Sequence, residues 1–205
     1  MFRSRMGFCV FLFSILLLLS GCATVADRSG FLSGYEKLHQ GKHLQNYWSS
    51  AELTGENVSR IYIAPVEGWN RDESSVTKAD ACRWLEEAVV SNIQKAPGWK
   101  ISERPEEYKK NLFMSVTHLD TGSAAGRILA AELGAGHAFV QAEGKLTDST
   151  TNKELASFTD RRRDTGVLGL EDLAGNAGRK LVKRMLEGIA SDIVMELSND
   201  LTARN

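Results

Sequence analysis

The sequence predicts an α+β fold: a single domain whose mixed, mostly antiparallel sheet of four to five strands carries two main helices on one face. Three observations predict it. A long amphipathic stripe closes the chain, apolar at Leu173, Ala177, Leu181, Val182, Met185, Ile189, Ile193, Val194 and Leu197. Two alternating segments flank the turn-forming run Asp148-Ser149-Thr150-Thr151-Asn152, which reads as a hairpin. The order strand, helix, hairpin strands, helix places both helices where they can cover the same sheet face.

The domain's first strand is Ser59 to Val66, with Ile61 and Ile63 on one face and Arg60 and Tyr62 on the other; Pro65 ends its pairing. After a polar loop, Gly68 to Ser75, a helix is expected to start near Thr77, with Asp80 as a weak capping-box partner. Its stripe is Cys82, Leu85, Val89, Ile93 and Ala96, and Pro97-Gly98 stops it. Trp99 to Ser102 reads as a short strand, and Arg104 to Lys110 as a turn. Leu112 to Leu119 alternates, with Leu112, Met114 and Val116 inward against Ser115 and Thr117. His137 to Thr147 places Ala138, Val140, Ala142, Gly144 and Leu146 inward, and His137, Gln141, Glu143 and Lys145 outward. Lys153 to Arg161 is the returning strand. The final helix, Glu171 to about Asn199, carries Arg179, Lys180, Lys183, Glu187, Asp192 and Glu196 on its polar side. At 1.5 Å per residue it reaches about 40 Å.

The N-terminus has a different logic. Arg3 and Arg5 precede an apolar run from Phe8 to Leu19, broken only by Ser14. About a dozen residues are too few to span a hydrocarbon core as a helix. A positive start, a short apolar core and small residues before a cut site define a secretory signal peptide. Leu19-Ser20-Gly21-Cys22 resembles the bacterial lipoprotein signal, in which cleavage between Gly21 and Cys22 would leave Cys22 as the acylated N-terminus. The resemblance implies a domain facing the periplasm. Ala23 stands where Asp would retain the protein in the inner membrane, which implies the outer membrane. The chain thus divides into a signal peptide (1–21), a lipid-anchored tether with a short docking segment (22–57) and the α+β periplasmic domain (58–205). In the tether, Phe31, Leu32, Tyr35 and Leu38 share one face of a short helix that docks on the domain's own core, with Trp48 nearby.

Taking 21 residues from 205 leaves 184, enough for one domain with a core. Losing Arg3 and Arg5 moves the formal charge from −1 to −3, which argues against a nucleic-acid partner and against a polybasic membrane patch. Of the cysteines, Cys9 leaves with the signal, Cys22 takes the lipid, and Cys82 stays alone without a disulfide partner.

Two stretches resemble one uncharacterised family of bacterial envelope lipoproteins. Ser29-Gly30-Phe31-Leu32-Ser33-Gly34-Tyr35-Glu36-Lys37-Leu38 is similar to its S-G-F-L-x-x-Y-x-x-L opening. Ala142 to Leu155 is similar to its strand, D-x-x-T-G turn and following strand, with Asn152 where Gly is usual; both residues adopt positive φ. The architecture is also similar to the periplasmic domains of the curli-secretion lipoprotein and of lipoprotein activators of cell-wall synthases, an analogy of fold alone.

No catalytic constellation stands out. His39 and His43 have i, i+4 spacing but no third ligand, and zinc needs three or four, so no metal or cofactor is expected. Gly134-Ala135-Gly136 precedes a strand and lacks the G-K-[ST] ending of a phosphate loop. Cys82, on its helix's apolar stripe, is expected to be an inert core thiol. Arg161-Arg162-Arg163 reads as a charged edge strand on which Arg161 and Arg163 share a face. Arg161, Arg163 and Arg127 are the candidate contacts to a protein or headgroup partner. The expected function is a non-enzymatic binding or scaffolding lipoprotein of the envelope. The alternative is an anchored hydrolase of envelope polymers with its site near Gly122 to His137.

Overall fold

The computed structural model describes residues 26–53, 60–68, 78–104, 107–121, 138–164 and 177–203. Its strands are β1 (Asn46–Ser49), β2 (Ile61–Ile63), β3 (Glu67–Gly68), β4 (Lys110–Asp120), β5 (Ala138–Asp148) and β6 (Glu154–Asp164). Its helices are α1 (Lys78–Lys95) and α2 (Ala177–Ala203), and a single 3-10 turn covers Tyr35–Lys37. The α+β class and the mostly antiparallel sheet are as the sequence predicts.

The sheet has six strands in the order β1-β6-β5-β4-β2, with β3 also on β4. That is one strand above the expected upper count. β2 and β3 run parallel to successive stretches of the same β4 edge, at residues 110–112 and 115–116. The passage is one extended segment interrupted at Pro65, which has no N–H to give to the ladder. The stretch read as a strand at Trp99 to Ser102 reduces to a single bridge between Ile61 and Ile101. There Trp99 instead turns inward, and its indole N–H donates to Ser198 Oγ of α2 at 3.0 Å.

The largest departure lies before residue 57. The segment read as a partly ordered tether contributes β1, antiparallel to β6, and buries Leu32, Leu44, Tyr47 and Leu53. β6 is therefore internal over Ala156–Thr159 and an edge only beyond it, where the three arginines stand.

One core holds the helices to the sheet. Leu112, Met114 and Val116 of β4, Val140, Ala142 and Leu146 of β5, and Ala156 and Phe158 of β6 join Leu85, Val89 and Ile93 of α1 and Leu181, Met185, Ile189 and Ile193 of α2. Most are at most 2% exposed, so each large side chain contributes about 1.5–3 kcal/mol before entropy. A bulge between Val116 and His118 shifts the phase of β4 and brings Leu119 into the same core. At the β5–β6 turn Asn152 has φ 56°, the left-handed conformation expected of it. Gly144 faces Phe158 across the ladder, and a Cβ there would stand 2.2 Å from the Phe158 ring, so the ring fits only over a glycine.

Candidate functional site

The sheet face away from the helices is polar and nevertheless buried. Ser115 and Thr117 of β4, Gln141 and Glu143 of β5, and Ser157 and Thr159 of β6 are all shielded from water; Glu143 is 0% exposed. The alternation expected for β5 is correct in direction, but Gln141 and Glu143 point outward into a second layer instead of into solvent. That layer is residues 26–38.

This strap is held at three points along the sheet. At its start, the Gln141 carboxamide pairs with the main chain of Asp27: Asp27 N–H donates to Oε1 at 2.9 Å, and Nε2 donates to the Asp27 carbonyl at 2.7 Å. Arg161 Nη1 pairs with the Asp27 carboxylate at 2.7 Å, its guanidinium 4.7 Å from the Phe139 ring centroid. In the middle, the Tyr35 hydroxyl donates to Glu143 Oε2 at 2.5 Å and accepts from the N–H groups of Gly30 (3.0 Å) and Leu32 (3.3 Å). Glu143 Oε1 accepts from Gln141 Nε2 at 2.8 Å. At the far end, Lys37 Nζ reaches Glu154 at 3.8 Å and lies 4.8 Å from the Trp48 ring centroid. Phe31 sits against the Lys145 ammonium, 5.8 Å from ring centroid to Nζ.

A second polar cluster fastens the chain where it rounds the sheet edge into β1. Glu196 of α2, 5% exposed, accepts from the backbone N–H groups of Lys42 (3.0 Å), His43 (2.5 Å) and Leu44 (3.2 Å). Its place on the polar side of the helix is as expected; its burial is not. Asp200 accepts from the Tyr47 hydroxyl at 3.0 Å and from Ser49 Oγ. Burial, reinforced by the Asp200 charge, pushes the Tyr47 phenol well above its ordinary pKa. Asp160 accepts from the Gln45 N–H at 3.3 Å and pairs with Arg162, which also reaches Asp192. Burial raises the Asp160 carboxyl above the usual range, and the Arg162 charge opposes it. Between the C-terminal ends of α1 and α2 a groove of about 480 Å³ is lined by Lys42, His43, Lys95, Pro97, Met195 and Asn199, among others. Each carboxylate named here is taken up by donors that hold a loop, a strand or a helix.

The family described as "Domain of unknown function (DUF4410)" matches residues 49–165. The chain belongs to the DUF4410 family. The match takes in β2 to β6 and the 148–152 turn, and leaves out the strap and α2. No curated protein sequence matches the chain. Among solved structures, it is similar to the PelC dodecamer from Paraburkholderia phytofirmans at 12% identity and TM-score 0.47, covering 71% of this chain and 94% of that one. It is also similar to lipoprotein GNA1162 from Neisseria meningitidis at 17% identity and TM-score 0.38, covering 64% and 98%. A third is protein XCC0632 from Xanthomonas campestris, at 13% identity and TM-score 0.43, covering 74% and 92%.

In this DUF4410 chain the candidate residues separate. Gly21, Cys22, Arg127 and the Gly122 to His137 stretch lie outside the described residues. Arg161 is occupied with Asp27 and Phe139, whereas Arg163 is exposed. Arg162, between them, turns to the helices, where Gly188 leaves room for its guanidinium; a Cβ there would stand 2.3 Å from Nη1. His39 bridges to Tyr47 through its backbone, while the His43 ring contacts Asn199 Nδ2 at 2.8 Å, so the two do different work. Among the described residues no three His, Cys, Asp or Glu side chains converge as a metal site would require. Cys82 is buried on α1, and that burial raises its thiol pKa. Sequence reasoning missed Gln141, Glu143 and Glu196 as anchoring residues. The one signal pointing to Gln141 and Glu143 was the apolar face at Phe31, Leu32, Tyr35 and Leu38, which had to dock somewhere; nothing in the sequence pointed to Glu196.

Proposed function

We propose that this DUF4410 protein is a lipid-anchored lipoprotein of the bacterial outer membrane, its domain in the periplasm acting as a non-enzymatic binding or scaffolding module. The observation that carries the reading is Leu19-Ser20-Gly21-Cys22 at the end of a short apolar run with arginines before it. The described residues add support for a binding role. Glu143 holds the chain's own strap, and Asp160 and Glu196 hold the loop that leads into β1, so their carboxylates serve architecture. Cys82, a potential nucleophile, is buried with a raised pKa. Scaffolding asks for a rigid domain on a defined tether, and the strap clamped across the sheet provides one.

The test is Cys22→Ala. Each buried CH₂ of an acyl chain is worth about 0.8 kcal/mol, so a multiply acylated Cys22 holds the protein on membranes through a high-salt wash. The variant is expected in the soluble fraction, and its retention on washed membranes would refute the anchor. Sucrose-gradient separation of the native protein into the inner membrane would refute the outer-membrane assignment alone.

A further inference from the structure

The strap's direction fixes which end of the domain lies next to the anchor. Asp27 meets Gln141 and Arg161, Tyr35 meets Glu143, and Lys37 meets Glu154, so the chain enters where β5 begins and β6 ends and runs toward the 148–152 turn. Cys22 precedes Asp27 by five residues. Fully extended, five residues reach at most about 18 Å. The opposite end of the sheet is about 30 Å farther along β6 at about 3.4 Å per residue.

A second, independent observation concerns charge at that same end. The first two described turns of α2 carry Arg179, Lys180, Lys183 and Arg184, and among its described residues no acidic residue precedes Glu187. Lys180, Lys183 and Arg184 are exposed, the side chains of the last two by 53% and 65%. Arg184 pairs with Asp164 at the end of β6, which places these turns beside exposed Arg163 and the strap's entry. Arg179, Arg184 and Lys183 pair with Asp80, Asp164 and Glu187, and Lys180 is partnered as well, yet Lys180, Lys183 and Arg184 stay exposed to a second binding surface. An anionic surface within reach would attract this exposed cluster of cations.

We propose that this end of the domain, formed by the start of β5, the end of β6 and the first turns of α2, docks on the anionic phospholipid headgroups of the membrane that holds Cys22. The proposal rests on the lipoprotein reading. The domain then stands with its 148–152 turn and the groove between the C-terminal helix ends directed away from the bilayer, where a partner in the periplasm reaches them.

The experiment uses the full lipidated chain in a Cys82→Ala background, reconstituted in vesicles of phosphatidylethanolamine and phosphatidylglycerol. A fluorophore is placed either at Arg163→Cys or at Thr150→Cys in the exposed turn, and a quencher is carried on the lipid headgroup. Quenching several-fold stronger at 163 than at 150 is expected. Replacing phosphatidylglycerol by phosphatidylcholine, or Lys180→Gln with Lys183→Gln, should reduce that contrast. Equal quenching on protein that floats with the vesicles would overturn the docking face and leave the anchor standing. A contrast indifferent to lipid charge and to both lysines would overturn the headgroup contact. Protein that does not float at all would overturn the lipoprotein reading itself.

Discussion

Removing one oxygen atom from the strap tests how it is held. Tyr35→Phe keeps the ring and deletes the hydroxyl that donates to Glu143 and gathers the N–H groups of Gly30 and Leu32. Glu143 is 0% exposed, so water cannot replace the lost donor without displacing the strap. A hydrogen bond to a charged group is worth about 1.5–3 kcal/mol, and the Gly30 bond, lying at the surface, adds little because water takes its place. A loss of about 2 kcal/mol corresponds to a fall in Tm of about 4–8 °C for a chain of this size. The measurement is a thermal melt of residues 23–205, with hydrogen exchange at Gly30 and Leu32 read in parallel. Exchange at those amides should accelerate by more than tenfold, while amides of β5 keep their protection. A double-mutant cycle with Glu143→Gln isolates the pair and should give a coupling above about 1 kcal/mol. A Tm within 1 °C of the parent, unchanged exchange and additive single effects would show that Glu143 holds nothing, and the strap would have to be held by its other contacts, at Asp27, Phe31, Leu32 and Lys37.

Two further outcomes follow from the core and the turn. Ile189→Asp places a carboxylate at a position 0% exposed and should cost several kcal/mol of the roughly 5–15 a domain has, whereas Lys183→Asp on the exposed face should cost far less; equal melts would refute the packing of α2. Asp148 accepts from Thr151 and Thr150 N–H and faces buried Lys110, and the Thr151 bond leads in holding its carboxyl below the usual range. A folded-state pKa below the unfolded one gives stability that is present above about pH 4 and lost as pH falls through the folded value. Asp148→Ala should therefore melt lower at neutral pH, with the gap to the parent narrowing below about pH 4; a gap constant down to pH 3 would refute the linkage.

What could be read from the sequence was whatever a period records. The stripe of α2 from Leu181 onward (Leu173 lies outside the described residues), the stripe of α1 and the alternation of β4 and β5 each repeat one choice, apolar or polar, at the spacing of their element, and each stands where that spacing puts it. β1 is four residues long, too short for a period to declare itself, and its burial comes from Tyr47 against a core assembled far along the chain. Glu196 is a charged residue on a charged helix face, and its composition does not disclose that the backbone of Lys42, His43 and Leu44 comes to it across more than 150 residues.

The buried polar face makes the same point for the site. A strand that alternates apolar with polar is ordinarily half in water, and Gln141 and Glu143 carry that signature. What reverses it is a segment whose own sequence is mostly polar and which therefore cannot dock by burying a large apolar surface. It docks through matched hydrogen bonds: an amide for the main chain of Asp27, a carboxylate for a phenol, and an arginine for a carboxylate. Such bonds are directional, so they set the strap's course along the sheet more sharply than an apolar patch would. That course determines which end of the domain the tether leaves from. A strap held by apolar contact could slide by a residue or two and blur that end; one held by Gln141, Glu143 and Arg161 cannot slide without leaving buried polar groups unpaired, at about 1–3 kcal/mol each.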